Sequence, residues 1–308
     1  MKIIHALEEF HESKTPVILA AGCFDGLHIG HAAVIKKAIA QAKAIGGEAW
    51  VFTFDPHPAK VLMPDRAPPL IFTTEQQSLH LQEIGVNGCI LQPFTIDFMK
   101  QEPLDFFENL CACIPRLAGI SVGEDWSFGR NRAGNAELLT KLCGERGLWF
   151  SAHPEIRWNN ERVSSTRIRE AIKLGHLKDA TGMLGRPVST IGNVEHGEKI
   201  GRKLGYPTAN IDPENEMLPP RGIYAAELRV GKILYNAAAY IGHRETFHQN
   251  EPQVLEVHLI DETGLDLYDQ HVEVSYIEYI RGDEVFENAE ALKKQIEADL
   301  AAIRKILG

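Results

Sequence analysis

Long apolar runs are missing from this 308-residue chain. No stretch is long enough to cross a bilayer. The first ten residues, MKIIHALEEF, carry too much charge over too short an apolar run for a secretory leader. Cysteine is scarce: five residues, an odd number without framework spacing, which argues against a disulfide scaffold and fits a reducing cytoplasm. Cys111 and Cys113, two apart in a helical segment, read as packing residues rather than ligands. Positive charge is also short. Lys and Arg number 32 against 42 Asp and Glu, a net charge of −10, which argues against a nucleic-acid partner. Binding of anionic nucleotides then rests on local glycine loops, arginines and Mg²⁺. Neither an internal repeat nor a low-complexity linker is found.

What is present suits two soluble domains, each large enough for its own core; the hydrophobic content of 44% and charged content of 24% are ordinary. The most informative stretch is residues 22–31, Gly-Cys-Phe-Asp-Gly-Leu-His-Ile-Gly-His. The apolar run 17–21 before it reads as a buried strand. Val34, Ile35, Ala38, Ile39, Ala42 and Ile45 after it are spaced as one helix face, with Gly46-Gly47 as the stop. Glycines and histidines therefore fall where a strand turns into a helix, the place where phosphates meet backbone N–H groups and the helix dipole in an open α/β sheet. Gly22, Gly26 and Gly30 permit close backbone approach. His28 and His31, three apart, can donate to a nucleoside triphosphate; the alternative is a tight turn with two incidental histidines. Their spacing does not match a helical zinc pair.

The first half alternates strands (48–54, 88–94, 118–122, 148–152) with helices (74–84, 104–114, 135–146), which predicts a parallel sheet covered on both faces. Ligand loops then gather at the strand C-termini, where residues 22–31, 53–58 and 123–130 all fall. Two short helices, from Thr166 and from Leu177, lead to Leu184-Gly185-Arg186-Pro187, and there the pattern changes. Short strands over 189–194, 223–230, 233–240, 254–260 and 272–279 predict an antiparallel barrel. Gly231-Lys232 reads as a tight hairpin, and a closing helix over 289–307 carries Leu292, Ile296, Leu300 and Ile303 on one stripe.

In this second half a glycine-dense segment, with Gly192, Gly197, Gly201 and Gly205 and with Lys203 among them, can lay N–H groups against phosphates. Thr208 and Asn210 share one side of an extended segment. A hydroxyl and an amide carbonyl are hard oxygen ligands suited to Mg²⁺, or they cap a rigid turn. Glu256 and His258 point away from the apolar face of their strand. Glu256 is either a base for an attacking alcohol or part of a solvated face.

The first motif resembles the His-x-Gly-His signature of the nucleotidyltransferase superfamily. The whole set resembles the bacterial bifunctional riboflavin kinase/FAD synthetase family over almost the entire chain. The matching segments are residues 22–31, 53–58, 123–130, 164–169, 184–187, 201–210, 218–219 with 222–224, and 256–259. Leu267-Tyr268, Arg281, Phe286, Gln295-Ile296 and Asp299 match as well. The resemblance implies a Rossmann-like nucleotidyltransferase α/β domain over 1–184 and an antiparallel β-barrel riboflavin kinase domain with a closing helix over 185–308. It implies phosphorylation of riboflavin by ATP to FMN, then adenylylation of FMN by a second ATP to FAD and pyrophosphate.

By the same resemblance Thr208 and Asn210 hold Mg²⁺ and Glu256 is the base. His28 and His31 stabilise the triphosphate, while Gly22, Phe24, Asp25 and Gly30 shape the nucleotide pocket. Ser164, Ser165, Thr166 and Arg169 suit the leaving pyrophosphate. His57, Asp125 and Arg130 face either the flavin phosphate or the adenine side. Partners are small molecules, with no nucleic acid and no membrane, and the compartment is the cytoplasm. Competing readings are an adenylyltransferase with a weakened kinase, a non-catalytic flavin-binding protein, and a tRNA synthetase, which lacks a basic anticodon-binding surface here. Three departures from the family stand out. Glu245 replaces a usual proline, Asp269 a usual glycine (tolerable for Asp if φ is positive), and Trp126 a usual phenylalanine.

Overall fold

The computed structural model describes residues 1–11, 13–196, 205–243, 253–262 and 265–308. Glu245, Gly197, Gly201 and Lys203 lie outside the described residues. The chain divides into two compact units, Met1–Ser165 and Thr166–Gly308. All four tryptophans belong to the first and all seven tyrosines to the second.

In the first unit, six parallel strands stand in the order β1-β4-β3-β2-β5-β6. These are β1 (Lys2–Ile4), β2 (Val17–Ala21), β3 (Glu48–Phe54), β4 (Gly88–Gln92), β5 (Leu117–Gly123) and β6 (Trp149–His153). Helices α1 (Ile29–Ala44), α3 (Thr74–Ile84), α4 (Pro103–Cys113) and α5 (Ala136–Glu145) connect them, with the short α2 (Pro58–Leu62) after β3. Every residue of β2 is buried, so it shows an unbroken apolar run instead of alternation. Val17, Leu19, Phe52, Ile90, Phe107 and Ile120 lie in one core.

From β2 the chain proceeds through β3 and β4 to one side, then returns to lay β5 and β6 on the other. The strand order therefore reverses between β2 and β5, which opens a ligand crevice beyond their C-terminal ends. Residues 22–31 and 123–130 flank that point. A two-stranded hairpin, β7 (Arg157–Trp158) and β8 (Glu161–Arg162), follows β6.

In the second unit α6 (Ser165–Lys173, which starts on the last residue of the first) and α7 (Leu177–Leu184) precede a closed antiparallel barrel. Its order is β10-β13-β12-β11-β14-β9, for β9 (Val188–Glu195), β10 (Ala209–Pro213), β11 (Gly222–Val230), β12 (Ile233–His243), β13 (Gln253–Leu259) and β14 (His271–Arg281). The β11–β12 hairpin turns at Gly231, φ +59. The closing helix Ala289–Leu307 is capped by Asn288 Oδ1, which accepts from the Ala291 N–H at 2.9 Å. It packs Leu300 and Ile303 against Ala225 and Ile260. Arg281 donates to both oxygens of Asp299 at 2.8–3.0 Å, and Gln295 donates to the same carboxylate at 2.8 Å. Among the described residues, no helix is long and apolar enough to cross a membrane.

Candidate functional sites

The turn between β2 and α1 is held in an unusual backbone. Phe24 (φ 51), Gly26 (φ 75) and Leu27 (φ 40) are left-handed. Two of the three carry large side chains, and such a conformation persists only where the surroundings over-determine it. Three side chains from elsewhere in the chain do so by fixing successive carbonyls. Thr53 Oγ1 donates to the Cys23 carbonyl at 3.0 Å. Gln77 Nε2 donates to the Phe24 carbonyl at 3.1 Å and to the Cys23 carbonyl at 3.4 Å. Ser165 Oγ donates to the Asp25 carbonyl at 2.9 Å. Asp25 itself is buried, and its Oδ1 accepts the Ile71 N–H at 3.0 Å.

Gly22 is needed because the Phe24 ring lies against it: an added Cβ would meet Phe24 Cε1 at 2.9 Å. That ring, buried, meets His31 edge-on at 5.3 Å. A Cβ at Gly30 would press on the His28 ring at 3.1 Å. Phe24 and the two glycines thus seat the histidines. The His28 and His31 rings stack at 3.5 Å, 16° from parallel. His28 Nδ1 accepts the His31 backbone N–H at 3.2 Å and caps α1. The proton of neutral His28 is therefore on Nε2, which makes that atom the donor. Burial, and then the adjacent His28, hold His31 well below the ordinary histidine range.

A cavity of about 480 Å³ opens beside this turn, with Cys23 in its wall. Phe54, Phe98, Phe106, Trp126 and Phe128 supply aromatic surfaces, with Trp126 stacked on Phe128 at 4.9 Å. Asp125 lines it and is ion-paired with Arg162 of β8. Arg130 is absent from this wall and pairs with Glu102 at 3.3 Å on the surface, whereas Arg132 lines the cavity and donates to Ser127 Oγ at 2.7 Å. His57 caps α2 through the Ala59 N–H and lines a smaller neighbouring cavity with Asp25 and Gln77. Ser164 precedes α6, and Thr166 and Arg169 lie along it.

In the barrel, Asn210 stands opposite Glu256 across the β10–β13 ladder, and directly opposed residues project to the same face. Thr208 Oγ1 donates to Glu256 Oε2 at 3.1 Å. Hydroxyl, amide and carboxylate oxygens are thereby grouped at one place, a donor set that fits Mg²⁺; a threonine that gives its proton to Glu256 keeps its lone pairs for a cation. A cavity of about 360 Å³ is lined by Thr208, Val257, Leu259 and Tyr268. Gly192 is not in a loop. It is buried within β9, where the Asp212 carbonyl fills the position of a Cβ, so it serves strand packing. Gly205, φ +93, is exposed, and among the described residues nothing lies where a Cβ would be added.

Sequence reading missed Thr53, Gln77, Arg132 and Arg162. Thr53 lay in a noted segment and Arg132 two residues from one. Gln77 and Arg162 gave no local signal, because their partners are distant in the chain.

A polypeptide with this open-sheet crevice and this closed barrel, each with its own polar centre, is a two-domain nucleotide-using transferase. The FAD synthetase family model matches residues 10–167, and the riboflavin kinase family model matches residues 184–307. The chain belongs to the bifunctional riboflavin kinase/FMN adenylyltransferase family. It is 31% identical to the enzyme of that name from Escherichia coli K12, over 100% of this chain and 98% of that protein. It is 33% identical to the one from Listeria monocytogenes, over 92% of this chain and 90% of that protein. A crystal structure described as a macrolide-efflux protein from Streptococcus pneumoniae has the same architecture, with a TM-score of 0.88, 28% identity and 98% of each chain covered.

Proposed function

We propose that the two centres divide two successive transfers: residues 185–308 phosphorylate riboflavin with ATP, and residues 1–184 join the resulting FMN to a second ATP. The observation that carries this division is the contact of Thr208 with Glu256 on the barrel, in a chain whose stacked histidines belong to the other unit.

In the kinase step, Glu256 takes the proton of the terminal ribityl hydroxyl as its oxygen attacks the γ-phosphorus, and ADP leaves. An alcohol is a weak nucleophile near neutral pH, so a positioned carboxylate is useful there. The hydrogen bond from Thr208 fixes which way that carboxylate faces. Thr208 and Asn210 would hold Mg²⁺, which when bound neutralises charge on the triphosphate.

The adenylyl step needs no base, because the FMN phosphate is already anionic. Its oxygen attacks the α-phosphorus, and pyrophosphate leaves. What matters is in-line placement and stabilisation of charge. His28 Nε2–H is the donor to the triphosphate, and His31 supports it. Ser164 and Ser165, at the start of α6, receive the pyrophosphate. The aromatic cavity beside Cys23 takes the flavin ring. Partners are small molecules, and the cytoplasm, which keeps thiols reduced, is the compartment that fits five free cysteines.

Product chromatography from riboflavin, ATP and Mg²⁺ tests the division. Glu256→Gln is expected to lose FMN formation by roughly a hundredfold or more while FMN-to-FAD conversion survives. His31→Ala is expected to do the reverse. Loss of both activities in either variant would reject it.

A further inference from the structure

Gln101 sits on the wall of the aromatic cavity of the first unit. Its amide oxygen is shielded from water and meets no donor among the described residues. Buried polar atoms are nearly always paired, and an unpaired one is unfavourable in the free protein. The backbone around it is pinned: the Gln101 N–H donates to the Phe98 carbonyl at 3.2 Å, and the Gln101 carbonyl accepts from the Arg130 N–H at 2.7 Å. The side chain alone is left to adapt. The cavity beside it is walled by Phe54, Phe98, Phe106, Trp126 and Phe128, with Asp125, Ser127 and Arg132 as further polar groups; a turn of the Gln101 side chain would bring its dry acceptor to a ligand that carries its own N–H. The oxidised flavin ring has one such group, N3–H, set between two carbonyls; N1, N5 and the carbonyl oxygens only accept, and N10 is fully substituted. An amide is complementary to that edge, since its oxygen accepts N3–H while its NH₂ donates to a neighbouring carbonyl.

We propose that Gln101 is a specificity-determining residue of the adenylyl step, reading the N3–H edge of FMN. This rests on the reading that the cavity takes the flavin ring. The test compares FMN with N3-methyl-FMN as adenylyl acceptors. The parent enzyme is expected to prefer FMN in kcat/KM by about tenfold or more. Gln101→Leu keeps the bulk and removes the acceptor, so it is expected to raise KM for FMN and bring the ratio close to one, with KM for ATP unchanged. Its unfolding midpoint by tryptophan fluorescence is expected to hold or rise, because the unpaired atom is gone. An undiminished preference in Gln101→Leu would mean that the methyl is rejected by size, and would overturn the proposal. So would an effect confined to ATP, or a lowered midpoint, which would reveal a partner in the free protein. Trp126→Ala separates the two levels. If it leaves KM for FMN unchanged, the cavity is not the flavin site and both readings fall; if it raises KM while Gln101→Leu still discriminates, only the role of Gln101 falls.

Discussion

At Asp269 the backbone takes φ +60, a region that side chains resist and that aspartate tolerates better than most. The resemblance noted in the sequence leads to an expectation of glycine here, and the backbone does take the left-handed conformation that glycine favours. Asp269→Val, β-branched, is expected to destabilise the second unit by about 1–2 kcal/mol, and Asp269→Gly to leave it close to the parent. Near-ultraviolet circular dichroism of the tyrosines checks both, since those residues all lie in that unit.

His31 offers a pH test. Unfolded, it titrates near its ordinary value of about 6.5; folded, burial and His28 hold it well below. Below about pH 6.5 the unfolded chain binds a proton that the folded chain refuses, so stability falls as pH drops, by at most about 1.4 kcal/mol per pH unit from this group. Above that pH the contribution is fully present. Tryptophan-monitored denaturation between pH 5 and 8 is expected to show this loss, and His31→Gln to make it shallower. The histidines and glycines of this turn were legible in sequence because their types and spacing are local. The left-handed Phe24 and Leu27 were not, because neither residue type announces a positive φ.

Among elements, α3 has a structural role beyond its cover of the sheet. It carries Gln77, whose two hydrogen bonds tie down the turn after β2. Gln77→Leu is expected to lower FAD formation about tenfold and to cost the first unit about 1–2 kcal/mol, with FMN formation from riboflavin unchanged. Equal loss of both activities would deny the turn-specific role. The bounds of β2, β3, α3 and the closing helix were readable because each presents several periods of its pattern. β1, α2 and the β7–β8 hairpin were not, since they span three, five and two plus two residues and are too short to show periodicity. β10, rich in Asn, Asp and Pro, has little strand propensity and is held by its neighbours β9 and β13. The aromatic cavity gathers residues from separate segments and left no contiguous motif.

For the whole molecule, separate centres imply that each half-reaction survives loss of the other. Mixing Glu256→Gln with His31→Ala is therefore expected to restore FAD production from riboflavin, after a lag while free FMN accumulates. Chromatography of the mixture would show the lag shorten when FMN is added at the start. Failure to restore FAD with both variants folded would mean that the two transfers require one intact chain.

The closure of the barrel also bears on how this protein fails. Its six strands form a ring, so its backbone presents no open flank for a stray chain to extend. The flanks of the larger sheet, β1 and β6, remain. β1 is a three-residue strip, which makes β6, with Trp149 and Phe150, the longer template for unwanted pairing when the molecule is heated or concentrated.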